Sequence, residues 1–277
     1  ISYCVEEDEV HLTKKPNYNN QHLTFVARAN GTFKFSGNSI SYSLDSGATW
    51  TTLASNTNTP TVTAGNKIMW KATLTPTSNG IGRFSSTAEF DIEGNVMSLL
   101  YGDDFKGQLS LSGKNNAFRY LFIGCTNAIA IENLSLPATT LADNCYSNMF
   151  EGCTSLTEAP KLPAATLSVS GYSYMFLGCT SLTEAPELPA TTLSNYCYYQ
   201  MFQGCTSLTE APELPATTLA NSCYSSMFYG CTSLTEAPEL PATTLADECY
   251  YAMFEGCTSL GYIKAMFTTT PSATYTL

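Results

Sequence analysis

The chain has 277 residues, of which 44% are hydrophobic and 13% charged, and its formal net charge is −11. This length is sufficient for two domains with cores of their own. Nucleic acid and anionic membrane surfaces both select clustered Lys and Arg, so the acidic composition disfavours both as partners. The apolar runs fall short of the roughly 18 residues of a membrane span, and we expect no direct membrane insertion.

The first 21 residues (1–21) are strongly polar and are predicted to form a linker or a first strand. They contain four acids at positions 6–9, followed by Lys14, Lys15 and Pro16. Because the chain begins with Ile1 instead of methionine, we expect that a preceding stretch has been removed, with a secretory signal as one candidate.

Residues 22–115 have the pattern of an all-β domain. Apolar and polar residues alternate at Phe33 and Phe35, at Ile40, Tyr42 and Leu44, and at Ile68, Trp70 and Ala72. Clusters of Gly, Asn, Ser and Pro separate these stretches at hairpin spacing. We predict about seven or eight short strands that form a β-sandwich of the Ig-like or jelly-roll class.

The segment Ser43–Trp50 within this domain matches the Asp-box motif, Ser-x-Asp-x-Gly-x-x-Trp. Asp-boxes occur in sialidases and other propellers, where they stabilise a hairpin and carry none of the chemistry. The Asp and Ser side chains bond the turn backbone, Gly takes the unusual backbone angle, and Trp packs beneath. One copy in a domain of this size cannot form a propeller, so we favour a hairpin over a sialidase-like enzyme.

No residue pattern in the chain predicts catalysis, a cofactor or a bound metal. His11 and His22 are the only histidines, and neither lies beside a recognisable nucleophile or in zinc-ligand spacing. Asp103 and Asp104 could contact a calcium ion, but without a spaced set of oxygen ligands we favour a solvated turn. We therefore predict a protein that is not an enzyme.

A 26-residue repeat dominates the second half of the chain. Its core, GCTSLTEAPELPATTL, is identical in three consecutive copies between Gly178 and Leu245, and the copy at Gly152–Leu167 differs only at Lys161 and Ala165. Repeats of 20–29 residues with leucines at fixed positions indicate a solenoid of stacked turns. A site copied in every turn suits binding better than catalysis, which needs one asymmetric set of groups.

We predict a short helix in each turn of this leucine-rich repeat solenoid, which spans residues 116–277. In one turn, apolar residues at i, i+3, i+4 and i+7 form a helical stripe. The stripe consists of Tyr146, Met149, Phe150 and Cys153. Asp143 before the stripe and Gly152 near its end resemble helix caps, which limits the helix to about ten residues.

The remainder of each turn is predicted to be extended. Proline cannot donate a hydrogen bond to a sheet, so Pro160 and Pro163 are expected at corners. This leaves two short strands, at 156–158 and at 166–167, which would lie beside the same segments of neighbouring turns.

Eleven cysteines are present, and their spacing argues against disulfides. Two series recur with the repeat, and Gly171 replaces one cysteine of the second series. The series are Cys153, Cys179, Cys205, Cys231 and Cys257, and Cys145, Cys197, Cys223 and Cys249. Cysteines eight residues apart on a helix are separated by about 12 Å, which is beyond disulfide reach. We predict two ladders of buried free thiols, since Cys packs as a small hydrophobe.

The segment Phe150–Thr157, FEGCTSLT, and its copies resemble the Phe-x-Gly-Cys-x-x-Leu signature of the BspA-like leucine-rich repeat family. The resemblance covers residues 118–262. It implies a surface or secreted protein, as found in anaerobic gut and oral bacteria and in some parasitic protists, with a role in adhesion or protein binding. The degenerate first turn, around Leu121–Thr126, and the polar tail Thr268–Leu277 are expected to cap the stack.

A row of glutamates is the first candidate binding surface. From residue 116 onward the chain contains thirteen acids and three bases. Four of the acids recur once per turn, at Glu158, Glu184, Glu210 and Glu236. The row would bind a basic partner or cations; alternatively it is a solvated edge that aids solubility, and we favour this second interpretation.

Tyrosines at the positions that vary from turn to turn are the second candidate surface. They are predicted on the outward helix face and comprise Tyr174, Tyr196, Tyr199, Tyr229 and Tyr251. Exposed tyrosine makes a large contact at little entropic cost and is typical of partner binding. The alternative, which we favour from the sequence alone, is drift at unconstrained solvent positions.

We expect a non-catalytic cell-surface or secreted protein that binds an extracellular protein or glycan through the solenoid. An alternative is a carbohydrate-binding protein that stacks sugars on Trp50 or Trp70 of the β-sandwich, with the repeat as a stalk. Buried tryptophans would count against this alternative. A sialidase-like enzyme is the least favoured hypothesis and would need a carboxylate cluster in a cleft.

Overall fold

The computed structural model describes residues 17–268, so the predictions for residues 1–16 and for most of the tail lie outside the described residues. The strands in the described part are β1 (Leu23–Ala27), β2 (Phe33–Gly37), β3 (Ile40–Ser43), β4 (Thr51–Leu53), β5 (Lys67–Lys71), β6 (Gly82–Ser86), β7 (Phe90–Asn95) and β8 (Leu134–Ser135). A short helix, α1 (Ser98–Tyr101), and 3-10 turns at Tyr18–Asn20 and Gly102–Phe105 accompany them.

The strands form a six-stranded sheet, in the order β4-β3-β5-β1-β7-β8, and a two-stranded sheet of β2 and β6. β7 and β8 are parallel, and the other pairs are antiparallel. Aromatic rings join the sheets: Phe25 lies 5.4 Å from Phe33 and 4.8 Å from Phe84. Trp70 lies 5.1 Å from Phe84. The predicted strand-rich region is confirmed, whereas the Ig-like or jelly-roll class stays a prediction.

The repeats stack directly on one another, so that equivalent residues form ladders through the core. One ladder consists of Phe84, Phe122, Phe150, Phe176, Phe202, Phe228 and Phe254, and the other of Phe118, Tyr146, Tyr172, Tyr198, Tyr224 and Tyr250. From Phe122 to Phe254, successive ring centroids are 5.4–5.7 Å apart and the ring planes are nearly parallel. This stacking is consistent with a repeat solenoid.

The predicted helix is wrong, because backbone N–H groups in the repeats alternate between two kinds of acceptor. The Cys145 N–H donates to the Ala142 carbonyl within the turn, at 3.2 Å. The Tyr146 N–H donates instead to the Gly171 carbonyl of the next turn, at 3.0 Å. The same alternation recurs in the other repeats. Each repeat therefore contains a ribbon of consecutive tight turns that is hydrogen-bonded to neighbouring ribbons.

Left-handed residues at every fourth position explain why no helix forms here. The φ angle is 55° at Asn144, 58° at Asn148 and 70° at Gly152, and a positive φ is incompatible with a right-handed helix. Gly152 is therefore a left-handed turn residue and not a helix cap, and Asp143 precedes a ribbon instead of capping a helix. The predicted apolar stripe is nevertheless buried, at Tyr146, Met149, Phe150 and Cys153.

The extended segments predicted in each turn are reduced to isolated contacts between turns. Parallel bridges join Thr166 to Thr192 and Glu210 to Glu236, but residues 136–268 contain no assigned strand. The positions of the predicted pairing are therefore confirmed, whereas continuous strands are not formed. The two prolines of each repeat lack the N–H groups that a longer ladder would require.

The N-terminal sheet covers the first repeat and continues its core. The Phe90 N–H donates to the Asn127 carbonyl at 3.0 Å, and the Ile92 N–H donates to the Ala130 carbonyl at 2.9 Å. The Phe84 ring stacks on Phe122 with centroids 5.6 Å apart. The prediction that the degenerate first turn caps the stack is therefore wrong. The domain boundary between residues 115 and 116 stays a prediction, although one hydrophobic core extends across it.

At the C-terminal end of the described part, the residues after Leu260 form an irregular turn that packs against the last repeat. The Leu240 N–H donates to the Lys264 carbonyl at 2.9 Å, and the Met266 N–H donates to the Leu240 carbonyl at 3.0 Å. The Phe267 ring stacks on Tyr250 with centroids 6.0 Å apart. Phe267 thus extends the Tyr250 ladder by one ring.

All ten described cysteines are buried and free, which confirms the predicted thiol ladders. Cys4 lies outside the described residues. One ladder also donates hydrogen bonds: the Cys179 thiol reaches the Phe150 carbonyl of the preceding turn at 3.1 Å. Burial raises the pKa of the Cys145 thiol to about 12, so the reactive thiolate is scarce in the folded protein.

We expect these ten thiols to be unreactive towards a thiol reagent in the native protein and to react together when the protein unfolds. Replacing Cys4 by serine limits the signal to the described cysteines, and Tyr229→Cys supplies an exposed thiol as a positive control. Titration with an aromatic disulfide reagent should detect almost no thiol in native Cys4→Ser and ten in concentrated guanidinium chloride. Rapid modification of several native thiols would contradict the buried ladders.

Candidate binding surfaces

Three of the predicted tyrosines form a cluster on the surface of the ribbons. The Tyr199 ring packs edge-to-face against Tyr174, with centroids 5.2 Å apart, and against Tyr196, at 5.7 Å. Gln200 donates a hydrogen bond to the Tyr199 hydroxyl at 3.0 Å. Tyr196 is 44% exposed, and the other two rings are partly buried. These residues, the tyrosine cluster, form a supported aromatic surface that solvent reaches.

Two members of the cluster occupy left-handed backbone positions. The φ angle is 59° at Tyr174 and 58° at Tyr196. Copies of these positions carry smaller residues, such as Asn148, Ser222 and Ser226. A left-handed conformation costs a residue with a Cβ about 1–2 kcal/mol, and bulky side chains are uncommon there. The stack requires the left-handed backbone at these positions, but it does not require an aromatic side chain there.

The Tyr174 hydroxyl stays protonated over the whole physiological range. Burial, together with the nearby Tyr199 and Glu151, raises the pKa of Tyr174 to about 12. A neutral hydroxyl both donates and accepts hydrogen bonds. The cluster thus offers aromatic faces and neutral polar groups, which suits contact with a protein or a glycan.

The other predicted tyrosines lie apart from this cluster. Tyr229 and Tyr251 are 38% and 43% exposed in the following turns, and neither ring packs against another aromatic ring of the described residues. Sequence analysis missed Tyr120, which occupies the Tyr174 position of the first turn at φ 64°. The Arg119 guanidinium lies 4.6 Å from its ring centroid. The 28-residue spacing of that degenerate turn concealed the equivalence.

The glutamate row is present and contains one more member than predicted. Glu184, Glu210 and Glu236 are exposed, and Glu158 is partly buried. A hydrogen bond with Glu132 of the first turn raises the pKa of Glu158, as do burial and the charge of Glu184. Like charges one turn apart therefore repel each other.

The Asp-box forms the predicted hairpin device between β3 and β4. Ser43 Oγ accepts the Gly47 N–H at 2.8 Å, and Asp45 Oδ1 accepts the Thr49 N–H at 2.8 Å. Hydrogen bonds from Thr49 and Ser43 lower the pKa of Asp45 to about 2. The Trp50 indole N–H donates to the Gly47 carbonyl at 3.1 Å. All the motif's polar groups thus support the turn, which confirms the hairpin interpretation.

The tryptophans do not form the sugar platform of the alternative hypothesis. Trp70 is completely buried between the sheets, so its predicted role as a platform is wrong. Trp50 is partly buried, with the Lys71 ammonium 4.2 Å from its ring centroid and the His22 ring at 5.1 Å. Both rings are occupied by protein contacts because they form part of the hydrophobic and hairpin packing.

His22 belongs to a hydrogen-bonded cluster with Asp103 and Lys71 that its sequence neighbours do not predict. Its Nε2 lies 3.0 Å from Asp103 Oδ1, and Lys71 Nζ lies 2.7 Å from Asp103 Oδ2. Burial lowers the pKa of His22, although Asp103 acts in the opposite direction. Asp103 is thus more than a solvated turn residue. Its carboxylate contacts both Lys71 in β5 and His22 directly before β1. His11 lies outside the described residues.

The part of the chain that the structure describes contains neither a cluster of metal-ligand residues nor a membrane-spanning helix. No group of three or more His, Cys, Asp or Glu side chains in residues 17–268 is arranged to hold a metal ion. Within the same residues, none of the helices has the length and apolarity needed to cross a membrane.

Comparison with known proteins identifies the class of the repeats. The family model described as the BspA type leucine-rich repeat region, with six copies, matches residues 118–212 and 171–275, which together are more than half of the chain. The chain belongs to the BspA-type leucine-rich repeat family. Such proteins are typically non-catalytic and surface-associated, with a role in protein binding. No curated protein and no solved structure matches the chain significantly.

Proposed function

We propose that this protein acts at the cell surface or after secretion and binds an extracellular protein or glycan through the tyrosine cluster. The observation that carries the proposal is the aromatic cluster itself, with Tyr174 and Tyr196 at left-handed positions where every other copy between residues 144 and 252 has a smaller, non-aromatic residue. Strained conformations persist when the surrounding structure enforces them and concentrate at functional sites. Family membership supports a binding role, and the single copy of the cluster supports one specific partner site.

The rigidity of the cluster also supports binding. Tyr199 is fixed by edge-to-face contacts with two other rings and by a hydrogen bond from Gln200. A side chain that is already immobilised loses little rotamer entropy when a partner arrives. Tyrosine is among the residue types that contribute most to interfaces, because it combines a large apolar area with a polar end.

A triple variant, Tyr174→Ser, Tyr196→Ser and Tyr199→Ser, tests this proposal without a change to the core. Serine occupies the corresponding positions of another turn, at Ser226, Ser222 and Ser225. We expect the wild type to bind at least one component of a panel of immobilised extracellular-matrix proteins and glycans. The triple variant should bind that component at least ten-fold more weakly, because it lacks the aromatic contact area.

Tyr262→Ser is the matched control, since Tyr262 is 72% exposed and lies outside the cluster. Its binding should equal that of the wild type. Thermal unfolding of the triple variant should occur at or above the wild-type midpoint, because two bulky side chains leave left-handed positions. Undiminished binding by a folded triple variant would refute the role of the tyrosine cluster.

A further inference from the structure

A cleft lies where the chain before β1 meets the first two repeats, and it combines repeat positions such as Pro163 with residues that precede the repeats. The cavity volume is about 400 Å³, within the size range of small-ligand sites. Three side-chain amides line it, from Asn17, Asn19 and Asn133, together with Tyr18 and the 50% exposed Leu109. The lining thus combines planar hydrogen-bonding groups with apolar surface.

Lys161, which also lines this cleft, stands at a position where the following copies have glutamate. The corresponding residues of the next three copies are Glu187, Glu213 and Glu239. A second lysine lies beside the last of these three glutamates: Lys264 Nζ pairs with Glu239 at 2.7 Å. Lys161 differs, because its ammonium forms no ion pair with any carboxylate of residues 17–268.

Within residues 17–268, no carboxylate thus neutralises the ammonium of Lys161, whereas that of Lys264 neutralises its neighbour. A carboxylate is the natural partner of an unpaired ammonium, and a charge-assisted hydrogen bond is stronger than a neutral one. Asn17 Oδ1 and Asn19 Oδ1 already accept hydrogen bonds, and Asn133 Nδ2 already donates one. The NH2 groups of Asn17 and Asn19 and the side-chain oxygen of Asn133 can bond the hydroxyl groups of a sugar. Leu109 and Tyr18 provide apolar surface for the C–H face of a sugar ring.

We propose that this cleft binds an acidic sugar of a glycan chain, a uronic or a sialic acid, with its carboxylate on Lys161. The neighbouring Glu132 also lines the cleft and can accept a hydrogen bond from a sugar hydroxyl. This site shares no residue with the tyrosine cluster, so the two proposals stand or fall separately.

The test uses Lys161→Glu, which restores the residue found in the other copies and therefore preserves the repeat. Binding of sialyllactose and of an oligogalacturonate would be measured by calorimetry on the full chain, with lactose as the neutral comparison. We expect the wild type to prefer an acidic saccharide over lactose, and Lys161→Glu to weaken that binding at least ten-fold. Its thermal midpoint should equal that of the wild type.

Two controls separate a specific site from general charge attraction. Glu187→Lys places the same side chain one turn away, and Lys264→Gln removes a lysine outside the cleft. Both should retain wild-type affinity for the acidic saccharide. The proposal is overturned if lactose binds equally well, if folded Lys161→Glu binds like the wild type, if Lys264→Gln is weakened as much as Lys161→Glu, or if neither acidic saccharide binds.

Discussion

Phe202→Ala is expected to lower the free energy of unfolding by about 3–5 kcal/mol. The Phe202 ring is completely buried and stacks between Phe176 and Phe228, with centroids 5.7 and 5.6 Å away. Removing the ring deletes its buried apolar surface and leaves a cavity in the middle of the ladder. Its lining cannot collapse easily, because hydrogen bonds such as Phe202 N–H to Met227 carbonyl, at 2.9 Å, fix the spacing of the turns.

Urea unfolding followed by circular dichroism would measure this loss. Phe202→Leu should cost less, since leucine fills part of the cavity. Tyr229→Ala, at an exposed position of the next turn, should change stability by less than about 0.5 kcal/mol. Stacked repeats interact mainly with their neighbours. A broadened transition would therefore indicate that the repeats before and after Phe202 unfold separately. A loss below about 1 kcal/mol for Phe202→Ala would contradict the tightly packed ladder.

The fragment 116–277 is expected not to form the native stack without the residues before it. The missing part supplies the Phe84 ring, which covers Phe122, and the strand β7, which pairs with β8. It also supplies the backbone partners of Asn127 and Ala130. The first repeat would then expose a hydrophobic end and an unpaired edge, and repeat arrays require polar capping units for solubility.

Limited proteolysis and a fluorescent dye for exposed apolar surface would test the fragment. Deletion of residues 178–203 from the full chain is the matched control, because it removes one complete 26-residue repeat and keeps both ends. The control should resist protease and unfold cooperatively, whereas the fragment should be digested rapidly and bind the dye. A fragment with the protease resistance of the intact chain would show that residues 17–115 are a separable domain.

The repeat family and the buried side chains were predictable from the sequence because they depend on local composition and period. The signature around Phe150–Thr157 recurs in register, and family membership is confirmed over more than half of the chain. The predicted stripe is buried, and all described cysteines are free as their spacing indicated. The Asp-box hairpin was also predictable, since its hydrogen bonds join residues no more than four positions apart.

The backbone of the repeat was predicted wrongly, although its signal lies in the sequence. The spacing of Tyr146, Met149, Phe150 and Cys153 fits a helix and a ribbon of four-residue turns equally well. Asn144, Asn148 and Gly152, at every fourth position of one turn, indicate the ribbon because Asn and Gly tolerate a positive φ. The N–H groups of such a ribbon need acceptors in the next turn, so a single turn cannot stabilise it.

The sequence by itself determined the class of the protein, its period of 26 residues and which side chains of each turn face inward. These features follow from the near identity of the copies, so that each turn provides the same surface to the next. The tertiary structure alone decided which irregular residues meet: Phe84 with Phe122, His22 with Asp103, Tyr174 with Tyr199, and Asn17 with Lys161 at one cleft. Such contacts join residues from different turns or from both halves of the chain, and no local period encodes them. The candidate binding sites are made of these contacts, because specific recognition needs groups that the repeat does not copy.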